Sequence, residues 1–141
     1  MLKINKKVEY ALMVLQHMYQ NKHQSTSVRE MSERFDIPFD TTSKVMQKLS
    51  GHGIVQSIRG PRGGYFLNKE LENVGYLELV EIIEEKKKQG HCIDSDCRLV
   101  GNCTIHTPIE NLNNTIMAHL KKMNLKDLLS KERPSLTRMH L

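Results

Sequence analysis

All three cysteines of this 141-residue chain fall within one short stretch, at Cys92, Cys97 and Cys103. Four residues separate the first pair and five the second, and His106 follows three residues after Cys103. The Gly, Asn and Asp residues between them favour a loop, in which three thiolates can converge on one centre. Three thiolates and an imidazole could hold zinc or an iron–sulfur cluster. Structural zinc favours tight Cys-x-x-Cys pairs, so the wider spacing points to a cluster.

Two other chemistries stay open for the same segment. Three clustered cysteines do not indicate a disulfide framework, but reduced thiols could act as a metal-free redox sensor by forming a disulfide. Zinc could instead stabilise an interaction module that does not bind DNA. A cysteine enzyme would need a base and a substrate pocket, and so short a chain leaves little material for one. We therefore do not predict an enzyme.

A basic, glycine-rich segment at 59–64 is the second candidate site. Residues 54–58 and 65–67 flank it and predict two short strands, so the segment is expected at the tip of a hairpin. Arg59 and Arg62 could neutralise phosphates or enter a narrow minor groove. The glycines that would let the backbone approach DNA closely are Gly60, Gly63 and Gly64.

Three helices are predicted ahead of the hairpin. The first spans about residues 5–19, with apolar residues at helical spacing. Ser27 followed by Glu30 fits a capping box that opens a second helix, which ends before Pro38. A third helix spans about residues 40–50. Two short helices behind a longer one, followed by a basic hairpin, predict a winged helix-turn-helix.

The C-terminal half predicts a long helix with a narrow apolar seam. Such a seam is typical of a dimerisation helix, although packing onto the helix's own domain is the alternative. The seam residues are Ile109, Leu112, Ile116, Leu120 and Met123. The predicted fold is thus mainly α with a small β-hairpin wing. Its parts are a DNA-binding domain at 1–70, a connecting helix at 71–90, a cysteine loop at 91–106, a dimerisation helix at 107–130 and a flexible tail at 131–141.

The charge of the chain is uneven. The net charge is +5, but residues 1–69 carry 11 Lys and Arg against 5 Asp and Glu, whereas residues 70–141 carry 10 against 11. A basic first half suggests a polyanion such as nucleic acid as partner. No apolar run of about 18 residues predicts a membrane span, and no secretory signal is evident. A cytoplasmic location without membrane contact is expected.

The sequence resembles the Rrf2 family of bacterial transcription regulators over almost its whole length. The residues that carry the resemblance are Tyr10–Leu12, Met31–Arg34, the wing Ile58–Tyr65 and the cysteine loop. The resemblance implies a homodimer on a double-stranded DNA operator, with Cys92, Cys97 and Cys103 as cluster ligands. It places Arg59 in the minor groove and places Thr41, Ser43 and Lys44 against the major groove. Further candidate contacts are Ser27, Thr42 and Lys48.

The same resemblance offers two candidates for a fourth cluster ligand. His106 sits where IscR-like members carry that ligand, which would go with a [2Fe–2S] cluster. Glu9 sits where some NsrR-like members use an acidic residue from the partner subunit, which would go with a [4Fe–4S] cluster. Asp40 and Ser43 differ from the IscR-like recognition helix, so the operator sequence does not transfer. The implied function is a repressor switched by nitric oxide, redox state or iron status.

Overall fold

The computed structural model describes residues 4–85, 97–99 and 101–130. Three parts of the sequence prediction lie outside the described residues: residues 86–90 at the end of the predicted connecting helix, Cys92, and the predicted tail at 131–141. The helices are α1 Lys6–Gln20, α2 Val28–Phe35, α3 Phe39–Gly51, α4 Tyr76–Glu84, α5 His106–Lys121 and α6 Leu125–Leu129, with a 3-10 turn at Leu71–Asn73. The strands are β1 Val55–Ile58 and β2 Gly64–Leu67.

Helix α1 lies against the buried core of the chain. Asn5 caps it, because the Asn5 side chain accepts a hydrogen bond from the backbone N–H of Lys7 at 2.9 Å. Its buried face packs with α3 and α4 around a core that is aliphatic and rich in methionine. Met18, Met31 and Met46 are all at most 2% exposed. Methionine suits such a core because its unbranched side chain fills irregular gaps.

The predicted helix-turn-helix is confirmed. Ser27 caps α2, since its hydroxyl oxygen accepts a hydrogen bond from the backbone N–H of Glu30 at 3.1 Å. Asp36 ends α2 in the left-handed conformation, with φ 52°. Ile37, the next residue, is buried. Its backbone N–H donates a hydrogen bond to the carbonyl of Ser32 at 3.1 Å, and its carbonyl accepts one from the Ser32 hydroxyl at 2.6 Å. These bonds fix the turn from which α3 starts.

The wing is the predicted antiparallel hairpin. Val55 pairs with Leu67 at its base, and Ile58 pairs with Gly64 next to the turn. Val55 is buried in the core, whereas the rest of β1 is exposed. The hairpin is therefore rooted in the helical domain at one end and extends the basic turn into solvent at the other.

The range 107–130, predicted as a dimerisation helix ending in a short final turn at Leu125–Leu129, contains the two helices α5 and α6. Asn124 lies between them and caps α6, accepting a hydrogen bond from the backbone N–H of Asp127 at 2.8 Å. The backbone N–H of Tyr76 donates to the carbonyl of Met123, and that of Leu125 donates to the carbonyl of Val74, each at 2.9 Å. Leu125 itself is fully buried. The end of α5 is thus fixed to the start of α4.

The predicted apolar seam divides into a part that is buried on the core and a part that is exposed. Leu120 and Met123 are partly buried and pack on the core of their own domain, so they are not available as exposed seam residues. Ile109, Leu112 and Ile116 are exposed by 41%, 55% and 37%. No residue of α5 is buried by the part of the chain that the structure describes. Among the described residues, no helix is long and apolar enough to cross a membrane.

Candidate nucleic-acid interface and cysteine segment

Helix α3 presents a polar face away from the core. Its buried face is formed by Thr42, Val45, Met46 and Leu49. On the opposite side Asp40, Lys44 and Gln47 are exposed, and Ser43 is partly exposed between them. The amide of Gln47 lies 3.5 Å from the hydroxyl of Ser43. Sequence reasoning included Ser43 and Lys44 but missed Gln47, although its spacing of four and three residues from them signals the same face.

Thr42 does not belong to this polar face, so its prediction as a DNA contact is wrong. The residue is 1% exposed, and its hydroxyl donates a hydrogen bond to the carbonyl of Pro38 at 3.2 Å. A threonine can stand in an apolar row because this bond satisfies the hydroxyl inside the helix. Thr41 is partly buried on the side of α3 that faces α4.

Lys48 is directed toward the end of α4. Its ammonium group donates to the backbone carbonyl of Ile83 at 2.7 Å and lies 3.1 Å from a carboxylate oxygen of Glu85. Both partners belong to the C-terminal end of α4, and the lysine side chain is only 26% exposed. In the structure the ammonium of Lys48 is engaged by the end of α4, and its contact with DNA stays a prediction.

A cleft of about 630 Å³ separates the flank of α3 from the end of α4. Its walls include the side chains of Asp40 and Lys44 from α3 and those of Ile83 and Glu85 from the end of α4. Lys7, from the start of α1, closes one side. Lys48 therefore reaches the end of α4 along the wall of this cleft, beside the buried core in which α3 and α4 pack together.

The wing places its arginines in solvent beside α2. Arg59 and Arg62 are both exposed. Ser25 supports the turn, since its hydroxyl donates to the carbonyl of Arg62 at 3.3 Å. Ser27, predicted as a DNA contact, is partly buried and uses its hydroxyl oxygen to cap α2. The exposed arginines of the wing and Lys44 of α3 are cations that can bind phosphate. They all lie in the N-terminal half of the chain.

Tight glycine packing shapes the wing. A Cβ on Gly63 would lie 2.6 Å from the carbonyl oxygen of Ile58, and one on Gly64 would lie 2.9 Å from the carbonyl of Thr26. These two glycines are therefore required by backbone contacts within the protein. Gly60, in contrast, has a φ of 125° and open space around its Cα.

Two of the three predicted thiols lie within the described residues. Cys97 is exposed and Cys103 is partly buried, and neither forms a disulfide. Cys103 lies just before α5, which begins at His106. Both residues are thus free thiols in the part of the chain that the structure describes.

The two candidates for a fourth ligand have ordinary polar neighbours. His106 Nδ1 lies 3.9 Å from a carboxylate oxygen of Glu110, one turn along α5. Glu9 lies 2.8 Å from the ammonium of Lys6, and this hydrogen bond raises the pKa of Lys6. Within residues 4–85, 97–99 and 101–130, no three His, Cys, Asp or Glu side chains gather as a metal site. The ligand assignments of Cys92, Cys97, Cys103, His106 and Glu9 stay predictions.

The fold defines a winged helix-turn-helix protein of the kind that binds duplex DNA. The chain belongs to the Rrf2 family, described as iron-dependent transcriptional regulators, whose profile matches residues 4–131. This membership confirms the resemblance found in the sequence, the predicted role in DNA-binding transcription regulation, and the prediction that the chain is not an enzyme.

Relatives and solved structures agree with that assignment. A protein of Aquifex aeolicus named as an HTH-type transcriptional regulator is 31% identical over 129 residues, covering 89% of this chain and 90% of the relative. The NsrR regulator of Shouchella clausii is 26% identical over 128 residues, covering 88% and 86%. The fold resembles CymR, the global cysteine regulator of B. subtilis, with TM-score 0.73, 21% identity and coverage of 92% and 98%. It also resembles T. potens IscR, with TM-score 0.67, 21% identity and coverage of 91% and 86%.

Proposed function

We propose that this protein is a cytoplasmic, homodimeric repressor whose affinity for operator DNA is set by an iron–sulfur cluster on its cysteine segment. The observation that carries the proposal is the position of Cys97 and Cys103. Both thiols are free, and Cys103 directly precedes α5, the helix with the exposed apolar face. A change in the chemistry of the thiols would therefore act at the start of the proposed dimer helix.

DNA binding uses the two surfaces described above. The polar face of α3, with Ser43, Lys44 and Gln47, is proposed to enter the major groove, because recognition helices contact base edges there. Arg59 and Arg62 of the wing are proposed to bind phosphates or a narrow minor groove beside it. The buried Thr42 and the α4-bound Lys48 take no part in direct contact.

Dimerisation is proposed to use the N-terminal part of α5. Ile109, Leu112 and Ile116 recur at intervals of three and four residues, so they form one exposed apolar stripe. A second copy of α5 would cover this stripe and remove it from water. Because α6 fixes the other end of α5 to the DNA-binding half, the dimer contact would set the spacing of the two recognition helices.

The donor set fits a cluster. Thiolates are the usual protein ligands of iron–sulfur clusters, and Cys97 and Cys103 are both accessible in the described structure. Cys92 would supply a third thiolate, and either His106 or Glu9 of the partner subunit would supply the fourth donor. When bound, the cluster would supply a centre that nitric oxide, oxidants or iron shortage can alter. The chain's own part is to hold it at the base of α5 and to change DNA affinity when the cysteine segment is released.

The proposal is tested by anaerobic purification, a visible absorption spectrum and counts of iron and sulfide per chain. Equal iron and sulfide, with two or four of each per chain, would support it and fix the nuclearity. Duplexes selected by the protein from a random-sequence library should then bind with different affinity before and after cluster removal. Cys97→Ala should abolish that difference, whereas Ser130→Ala, outside the cysteine segment, should retain it. A colourless protein that cannot be reconstituted would refute the cluster.

A metal-free thiol switch on the same fold is the second candidate. It is favoured by the accessibility of Cys97 and Cys103 as free thiols, which could be oxidised directly. It predicts a colourless protein whose DNA affinity responds to oxidation and to dithiol reagents. Tight stoichiometric zinc without salt-dependent duplex binding would instead indicate the third alternative, a zinc-stabilised interaction module.

A further inference from the structure

Beside the buried core that they share, α3 and the end of α4 are joined by a polar contact from one long side chain. Lys48 lies in the last two turns of α3, and its ammonium reaches the carbonyl of Ile83 at 2.7 Å and the carboxylate of Glu85 at 3.1 Å. These partners are 35 and 37 residues away in the sequence. The contact therefore joins two separate helices.

The chemistry of this contact suits a fixed anchor. Ile83 belongs to the last turn of α4, where carbonyl groups lack a partner within the helix and carry the negative end of the helix dipole. Glu85 follows in the left-handed conformation with φ 54° and adds a full negative charge. A cation here makes one charge-assisted hydrogen bond and one ion pair, which together are stronger than either alone.

The surroundings explain why such an anchor would matter. Lys48, Ile83 and Glu85 all line the cleft between α3 and α4. The buried faces of α3 and α4 pack in the core, and Lys48 adds a polar contact between the two helices at the cleft beside it. Lys48 spans the gap, whereas Lys44, one turn earlier on α3 and also at the wall of the cleft, is exposed.

We propose that Lys48 is a positioning residue for DNA recognition: it holds the exposed face of α3 at the angle needed for the major groove without touching DNA. The inference rests on the proposed DNA-binding function. It assigns different roles to two lysines of one helix, since Lys44 would contribute charge to DNA and Lys48 would contribute geometry. In the sequence, Cys92 follows Glu85 by seven residues.

The test compares Lys48→Met, Lys48→Arg and Lys44→Met with the wild-type protein, on duplexes selected by the wild type from a random-sequence library. Affinity is measured over a range of salt concentrations. Each lost phosphate contact lowers the slope of log affinity against log salt by about 0.9. We expect Lys48→Met to lose about 5- to 30-fold in affinity with the wild-type salt slope. Lys44→Met should lower the slope, and Lys48→Arg should restore most of the affinity.

Amide hydrogen exchange on the DNA-free proteins separates positioning from misfolding. Lys48→Met should exchange faster at Ile83–Glu85 and in α3, with the core of α1 unchanged. The inference is overturned if Lys48→Met lowers the salt slope as Lys44→Met does, if its affinity equals that of the wild type, or if exchange at the end of α4 is unaltered. A wild-type protein that selects no duplex overturns the proposed function and this inference together. If the wild-type protein binds its selected duplexes and Lys48→Met binds them with the same affinity, only this inference is overturned.

Discussion

Thr26 and Tyr65 exchange two backbone hydrogen bonds, from each N–H to the other's carbonyl, both at 2.9 Å. Thr26 directly precedes Ser27, the cap of α2, and Tyr65 belongs to the returning strand of the wing. Thr26 is 2% exposed, so the pair lies inside the protein. The wing and the helix-turn-helix are thereby joined into one unit, and the wing arginines are held at a fixed place relative to α2.

Gly64→Ala should weaken this junction. The new Cβ would lie 2.9 Å from the carbonyl carbon and oxygen of Thr26, which are backbone atoms with little room to move. We expect a loss of about 1–3 kcal/mol in the free energy of unfolding, measured by urea denaturation. Gly51→Ala is the matched control, because a Cβ there meets nothing within 4 Å. Equal stability of the two variants would show that the junction tolerates the methyl group.

Leu112→Glu should convert the proposed dimer to monomers. Leu112 is 55% exposed and lies in the apolar stripe, so a charge there would be buried unpaired between two copies of α5. Light scattering should report the mass of one chain, while far-ultraviolet circular dichroism stays that of the wild type. Asn114→Glu places the same charge on the opposite side of α5 and should leave the dimer intact. A Leu112→Glu protein that remains dimeric would place the interface elsewhere.

Leu125→Ala should destabilise the fold by about 2–5 kcal/mol, the cost of emptying a fully buried leucine site. Leu125 is 0% exposed and anchors α6 on the core. Leu128→Ala, in the same short helix, should cost much less because Leu128 is 38% exposed. Denaturant midpoints of the two variants give the comparison. Similar midpoints would mean that α6 does not stabilise the DNA-binding half.

Stability should fall as the pH decreases below about 6.5, and His17 should contribute to the fall. His17 is 8% exposed, packs edge-on against Phe35 with ring centroids 5.8 Å apart, and its pKa is lowered from 6.5 by burial and by Arg34, with Glu30 opposing. Because the folded pKa lies below the unfolded one, the unfolded state binds the proton first. The stabilisation is therefore complete above the unfolded pKa and decreases from there toward the folded pKa.

Urea midpoints between pH 5 and pH 7.5 check this prediction. His17→Gln should make the urea midpoint less dependent on pH, whatever its effect on the absolute stability. His23→Gln, in the exposed loop after α1, should retain the slope of the wild type. An unchanged slope in His17→Gln would assign the dependence to other groups.

Local sequence rules determined most of the elements. The Ser27–Glu30 spacing marks a helix start, Pro38 follows a helix end, and the Arg-Gly-Pro stretch marks a turn, because each depends on residues only a few positions apart. The apolar periodicity of α1 and α3 determined which sides are buried for the same reason. The wing, the helix-turn-helix and the membership of the family were accordingly available from the sequence alone.

Tertiary structure decided the roles of individual polar residues. Thr42 and Lys48 look like their exposed neighbours in sequence, yet one is satisfied inside its own helix and the other by a carbonyl 35 residues away. Leu120 and Met123 continue the periodicity of the seam but pack on the core, where the next apolar residue, Leu125, is fully buried. Periodicity identifies an apolar side. Which surface covers that side depends on long-range packing, and only the folded chain shows it.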